Sequence, residues 1–413
     1  MKKRIISLLA CGVVAAGATV GMTACKGDRG LTVWAPQTQQ TLVKELVEEF
    51  KTANPDIKLK INVGVCGESE AYANLSKDGE AGADVYGFAN DQLMNLKKAG
   101  VIARIGNTVV ENLKKENDAN SVEAGKIVES GEDRYYGYPY AADNGFFMYY
   151  DSTIISSEQA ETLEGVLEGC AAANKYFLFN MKDSWYVGSF FYGAGGDYTI
   201  KWDGTAIEEA KCDFDQKAEG TEYTYGQIAG TALMDLRANA CFVNGTDTEI
   251  QQYANSNRLG AVVTGTWNAN FLQEKLGAGY AATKLPTYRS SLTGEDYQLI
   301  PFAGYKLFGV NAQSKHIPEA HRLAAFLSGE HAQQKRFELG IGPSNLKVAA
   351  SDAVKSNVAL AALASQLSFA KIQESLPSNY WSSLDAFGTD IYGKIKPEDL
   401  DAKLTALISG LND

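Results

Sequence analysis

The chain has 413 residues, of which 45% are apolar and 21% charged, and a formal net charge of −12. These are the proportions of a globular chain, and the length suits two or three domains. Forty glycines against nine prolines argue against a disordered or fibrous polymer. The acidic balance, with no basic patch, argues against nucleic acid as a partner and against lying flat on an anionic membrane.

The first stretch reads as an export signal. Met1-Lys2-Lys3-Arg4 is positive, residues 5–20 are apolar, and Met22-Thr23-Ala24-Cys25 precedes polar Lys26-Gly27-Asp28. The apolar run is too short for a confident transmembrane helix. Small residues ending in Cys resemble a bacterial lipoprotein signal. That resemblance implies a signal peptide over 1–24, Cys25 as the lipidated first residue, and a tether over 25–30. A plain secretion signal with an incidental Cys is the alternative. Of the other cysteines, Cys11 goes with the leader. Cys66, Cys170, Cys212 and Cys241 carry no Cys-x-x-Cys spacing, which excludes a zinc ribbon. They are expected as small buried thiols, with disulfides left open.

Leu31-Thr32-Val33-Trp34-Ala35 reads as a strand. Leu42, Val43, Leu46, Val47 and Phe50 recur at helical spacing with Lys44, Glu45, Glu48, Glu49 and Lys51 opposite, which predicts an amphipathic helix. Residues 57–65 alternate as a strand, so a β-α-β unit opens the body, and such units build parallel sheets. Residues 66–82 are looser. A short strand over 84–90 runs into a helix that starts at Asp91 and stops at Gly100.

The run from Tyr138 to Asp151 is aromatic and strand-forming, yet it holds Asp143-Asn144 in its middle. A strand buried throughout should not desolvate a carboxylate there. The run makes sense as a crossing between two sheets, with Asp143 facing a cleft. Beyond it the pattern predicts a helix over 156–175, a strand over 176–179, surface hairpins over 195–222, a helix over 226–240 and a buried strand over 259–264. Residues 301–310 form a second long apolar run and a natural return crossing. Pro318 opens a helix through Leu327, and further helices are predicted over 330–339, 352–372 and 398–409. The fold expected is α/β with two lobes, each a mostly parallel sheet flanked by helices. One lobe takes 31–140 and 306–350, and the other 144–301 and 351–413. Such sheets bind ligands at the carboxyl ends of their strands, and a cleft between lobes is a preferred small-molecule site.

No catalytic arrangement stands out. His316, His321 and His331 fall in one helical surface region without metal spacing. There is no Gly-x-Ser-x-Gly elbow and no P-loop. Gly193-Ala194-Gly195-Gly196 lacks the strand-then-helix context of a phosphate loop. Carboxylates are abundant without a distinguished pair. The aromatic placement does stand out. Trp34, Trp185, Trp267 and Trp381 sit at predicted strand ends or in polar, turn-like surroundings, with Trp202 the exception. Flat rings beside acids and amides suit a sugar, whose C–H face stacks on the ring while its hydroxyls donate to Asp. Each stack adds on the order of 1 kcal/mol beyond burial. A plug at a core edge is the competing role for each Trp.

Several motifs in order carry a specific resemblance. These are the opening strand, Gly82-Ala83-Asp84-Val85-Tyr86-Gly87-Phe88-Ala89-Asn90-Asp91, Gly137-Tyr138-Pro139-Tyr140-Ala141, Gly265-Thr266-Trp267, 303–311 (AGYKLFGVN) and Tyr380-Trp381 with Phe387-Gly388-Thr389. With them the chain resembles extracellular solute-binding proteins of the maltose/maltodextrin-binding type, receptors of ABC sugar importers. The resemblance implies a ligand-binding aromatic and acid at Phe88 and Asp91, where Asp91 can also serve as a helix N-cap. It implies an acid at Asp143 helped by Asn144, stacking rings at Trp185, Trp267 and Trp381, and a polar contact at Asp183. Glu68 is a further contact. Gln37-Thr38 stand where the family has a polar pair that holds sugar hydroxyls. Phe88 replaces a larger ring, Asp143 a longer Glu, and Gln37 is uncharged, so the sugar stays open.

The implied function is binding without chemistry and without cofactor or metal. Two lobes close on a maltooligosaccharide-like ligand. The closed form docks on the permease subunits of an ABC transporter, outside the cytoplasm, as a monomer held to the membrane by its lipid alone. Another solute in the same fold, a secreted carbohydrate-active enzyme and a sensory lipoprotein remain as alternatives.

Overall fold

The structure, a computed structural model, describes residues 30–412. The signal segment, Cys25 and the tether up to 29 lie outside the described residues. Ten strands share one sheet whose main path has a simple logic. At one end, Leu31–Ala35 lies between Ile61–Val65 and Val85–Ala89, parallel to both. At the other, Tyr176–Phe179 lies between Phe242–Asn244 and Leu259–Gly265, again parallel to both. Two long strands join the ends. Tyr138–Asp151, the crossing strand, and Phe302–Val310, the return strand, pair antiparallel with each other. A third passage, Lys371–Ile372, pairs with the start of the return strand.

The crossing strand is one unbroken element of 14 residues. Its first part pairs with the return strand from Tyr138 to Gly145, and its last part pairs with Leu259–Gly265 from Phe146 to Tyr150. Core side chains divide at the same place. One set draws on Leu31, Leu46, Val85, Tyr138, Tyr140 and Phe308; the other draws on Phe146, Phe179, Phe190, Leu233, Val263 and Tyr380.

Gln40–Ala53 is the amphipathic helix that the spacing predicts, with Leu42, Val43, Leu46, Val47 and Phe50 buried. Gly100, at φ +67°, supplies the left-handed residue that ends its helix. Several boundaries differ from expectation. The second strand begins at Ile61 rather than at residue 57, although the Lys60 carbonyl already accepts from the Leu31 N–H at 2.8 Å. The predicted helix over 156–175 is only Leu163–Ala172, started by Thr162, whose side chain accepts from the Gly165 N–H. The helix predicted over 352–372 breaks into Asp352–Lys355 and Val358–Gln366, because Ser351 and Asn357 each cap a new turn. A helix over Asn107–Glu116, which buries only Val110 and Leu113, and a hairpin of Lys126–Glu129 with Glu132–Tyr135 were not anticipated.

His321 also departs from expectation. It is half-buried, its Nδ1 lies 2.8 Å from the Tyr138 hydroxyl, and burial holds its pKa below the usual value. His331 is exposed and pairs with Glu49 at 2.8 Å. Cys66, Cys170, Cys212 and Cys241 are free thiols, the first two buried. No described helix is long and apolar enough to cross a membrane, and the described residues hold no cluster of metal-ligating side chains.

Candidate functional site

Register fixes where the strand ends point. Val85–Ala89 and the return strand are antiparallel, and Ala89 stands opposite Lys306, which in turn faces Ala141 of the crossing strand. Leu259–Gly265 is antiparallel to the crossing strand, and Gly265 stands opposite Phe146. The parallel strands of both ends therefore aim their carboxyl termini at the same short segment, residues 141–146. Five strand intervals span roughly 17 Å at about 3.4 Å each, the length of a few linked sugar rings.

Candidate residues follow directly from these ends. After Ala35 come Gln37 and Gln39, after Val65 comes Glu68, and after Ala89 comes Asp91. From the other side, Phe179 leads to Asp183 and Trp185, and Gly265 leads to Trp267. Open α/β sheets bind ligands beyond such carboxyl strand ends.

Trp267 lies in a single 3-10 turn and is 47% exposed, the only tryptophan among the exposed large apolar side chains of the described residues. Its ring folds back over Gly265, where an added Cβ would stand 1.9 Å from the indole. A side chain at 265 would push this half-exposed indole aside. The Trp267 and Trp185 rings lie 5.8 Å apart at 33°. Trp185 occupies the first turn of the helix Ser184–Gly193 rather than a loop, and its edge is set by Phe146 at 4.9 Å. Asp183 is that helix's N-cap, its Oδ1 accepting from the Trp185 N–H at 2.9 Å. Burial raises its pKa, with Asp385 adding to the effect and the backbone bond opposing it.

Trp381 also belongs to a helix, Ser378–Tyr392, and not to a turn. It is half-buried and packs on Phe302 at 6.0 Å and Tyr380 at 4.9 Å. Trp185 reaches across to the third passage, where its Nε1–H donates to Gln373 Oε1 at 3.0 Å. The backbone oxygen of Gln373 accepts from Asn90 Nδ2 at 2.5 Å, and Asn90 Oδ1 accepts from the Tyr305 N–H at 2.9 Å. One chain of contacts thus links the ring pair to the residue beside Asp91.

Asp143 does not stand open to the cleft as expected. Its side chain is 2% exposed and faces Lys306 Nζ at 2.9 Å, with the Gly342 N–H donating to Oδ2 at 3.3 Å. A carboxylate at mid-strand is tolerated here because a cation and a backbone donor replace water. Burial pulls the Lys306 pKa down, but Asp143 and Glu68 outweigh it and hold the ammonium above its usual range. Asn144 is half-buried beside Gly304, where a Cβ would meet its side chain at 2.6 Å.

Glu68 is half-buried and accepts from the Tyr140 hydroxyl at 2.5 Å and from Gln39 Nε2 at 3.3 Å. Gln39 Oε1 accepts from Arg336 Nε at 3.1 Å. The Arg336 guanidinium is wholly buried against the paired rings of Tyr140, at 4.8 Å, and Phe308, at 5.1 Å. Burial pushes its pKa down to about 10, so it remains charged. Gln37 is exposed and makes no cap bond, while Gln39, two residues on, holds the contact to Glu68.

Phe88 lies in the core, fully buried with Tyr86, Leu93 and Leu307, instead of lining the crevice. Alternation along its strand turns it inward with Tyr86. Asp91 does not cap: Ala89 and Gln92 hold the cap positions of the two helical turns there. Its Oδ1 is buried and accepts no hydrogen bond from the described residues. Burial raises its pKa to about 6, against the pull of the Asp91 and Gln92 backbone N–H groups.

The bacterial extracellular solute-binding protein profile matches residues 45–362. The chain belongs to that family. A curated relative, the galactooligosaccharide-binding protein of Bacillus subtilis (strain 168), is 25% identical over 419 residues, covering 95% of this chain and 91% of its own. A structure solved with acarbose is 30% identical, covers 93% of this chain and 98% of that one, and superposes with a TM-score of 0.80. The maltodextrin-binding protein MalE1 from L. casei BL23, solved without ligand, has a TM-score of 0.77 at 21% identity, over 93% of this chain and 98% of that one. The two-lobed α/β fold of this family is the fold of this chain, and the family's members are extracellular binding proteins.

Proposed function

We propose that the protein is the extracytoplasmic receptor of an ABC importer and captures an oligosaccharide of the maltodextrin type by closing two lobes on it. One observation carries this. Two opposed sets of strand ends meet over 141–146, one presenting Trp185 and Trp267 and the other Glu68 and Asp91. Rings from one lobe stack on the sugar faces, and carboxylates from the other accept from the hydroxyls. Only a closed state makes both sets of contacts, so ligand shifts the population toward closure. The lobes are 31–140 with 306–350 and 144–301 with 351–413, hinged where the three passages cross.

Asp183, Asn144 and Trp381 complete the ligand shell, and Gln37 contributes from its margin, while Phe88 supports Asp91 from the core. The similar proteins support a sugar: one is a galactooligosaccharide-binding protein and one was solved with acarbose. The site binds without chemistry. The signal is cut before Cys25, which carries the lipid, and the monomer then hands its cargo to membrane permease subunits.

A thermal-shift screen over glucose, maltose, maltotriose, longer and cyclic glucans, galactooligosaccharides and acarbose tests the ligand, since a ligand bound only by the native state raises its melting point. The expected result is a gain that grows from glucose to maltotriose, with the sugar recovered intact. Trp267→Ala should then weaken binding by about 1–3 kcal/mol in calorimetry. No stabilisation by any saccharide, or unchanged affinity in that variant, rejects the reading. Fatty-acid labelling lost in Cys25→Ser tests the anchor.

A further inference from the structure

A pocket of about 490 Å³ lies between the two halves and uses none of the ten candidate ligand residues. Its walls are Leu93, Met94 and Ile127 from the first half, Ile200 and Trp202 from the hairpin Tyr198–Asp203 with Ala206–Cys212, and Ile372 from the third passage. Ile200 and Trp202 are two apart on their strand and so share its inner face. Trp202 packs against the core cluster of the first half although the chain carries it within the second.

Three features define what this space would hold. The volume falls in the range of small-molecule sites. Apolar side chains make the larger part of the walls, with Asn90, Gln373, Glu374 and Ser375 on one side; the rim lysines are already engaged, Lys126 with Glu123 and Lys201 with Glu208, and the Glu374 carboxyl is a further reason against an anion. The Trp202 Nε1–H is buried and meets no acceptor among the described residues, and a buried donor left unmade is costly. An oligosaccharide fits badly along the side formed by Leu93, Met94, Ile127, Ile200, Trp202 and Ile372, where its hydroxyls would face hydrocarbon.

We infer that this pocket is a second ligand site, taking a small, flat, uncharged aromatic molecule that carries one hydrogen-bond acceptor. The ring packs between Met94 and Trp202, where sulfur and indole both favour an aromatic face, and the acceptor meets the Trp202 N–H.

Acetophenone, with a ring and a carbonyl, and ethylbenzene, of like size without an acceptor, are the probes. Titrated into the intact protein labelled with 15N-indole, acetophenone should move the Trp202 Nε1–H resonance, identified by its loss in Trp202→Phe. It should also show intermolecular NOEs to the Met94 methyl. Ethylbenzene should bind at least about fivefold more weakly, the value of one net hydrogen bond. Ala124→Phe, which sets a ring into the pocket from its lining, should abolish both signals. An unmoved Trp202 resonance, absent Met94 NOEs, or equal binding of the two probes overturns the inference. These readouts are independent of any sugar, so they fail or succeed separately from the proposed function.

Discussion

Lys306 and Asp143 sit on adjacent strands at the point where the two halves meet, their charged atoms 2.9 Å apart. Asp143 is almost fully buried and Lys306 about one-fifth exposed, so neither charge has water enough to stand alone. Asp143→Asn or Lys306→Met should each destabilise the protein by about 2–4 kcal/mol, the usual loss for a broken buried pair discounted for the exposed part of Lys306. The double variant should lose less than the sum. Denaturant unfolding of all four proteins measures the coupling, and strict additivity would refute it.

Gly265→Ala should displace the Trp267 indole, whose ring atoms occupy the place of the new methyl. Trp267 is half exposed, so its ring can swing into solvent and the fold survives. Saccharide affinity should fall by about 1–2 kcal/mol, the worth of one lost stack and its burial, while the melting point changes little. Isothermal calorimetry and calorimetric melting on the same preparation separate the two effects.

Asp91 gives a pH dependence with a definite sign. Its folded pKa of about 6 exceeds the unfolded value near 3.8, so the folded state holds the proton more tightly. No penalty exists below pH 4. The penalty grows as pH rises and is complete above 6. Asp91→Asn should therefore match the parent near pH 4 and exceed it in stability by roughly 1–3 kcal/mol at pH 7.5. Denaturant unfolding at both pH values checks this. If Oδ1 awaits a sugar hydroxyl, the same variant binds saccharide more weakly at pH 7.5.

Trp185→Phe keeps a ring but removes the donor to Gln373. The buried Gln373 amide oxygen is then left without that partner, at a cost of about 1–2 kcal/mol. Gln373→Leu in the same background should recover part of it. Unfolding free energies of the single and double variants provide the test.

Much of this architecture was readable from residue order. Apolar period located the opening strand and helix, and the aromatic run broken by Asp143-Asn144 marked the crossing. Lone Lys306 inside the return strand was a visible cue for a buried partner, since an apolar run admits a cation only beside an anion. Other features leave no local trace. Arg336 lies in a charged helix like any surface arginine, and only tertiary packing buries it against Tyr140 and Phe308. Gln373 acts through contacts 188 and 283 residues away in sequence. Trp185 and Trp381 follow Pro or polar residues that look like turns but open helices, and Phe88 shares a period with Tyr86 that points it inward.

The return strand has a temporal consequence. It lies between Val85–Ala89 and the crossing strand in the finished sheet, yet it is made only after residue 301. During synthesis the amino-terminal half has a gap at its centre until more than three hundred residues exist. Early portions of the chain cannot close into a finished domain while later ones are still being translated. Such a polypeptide stays threadable for most of its manufacture, a useful property for any product that must be exported before it matures.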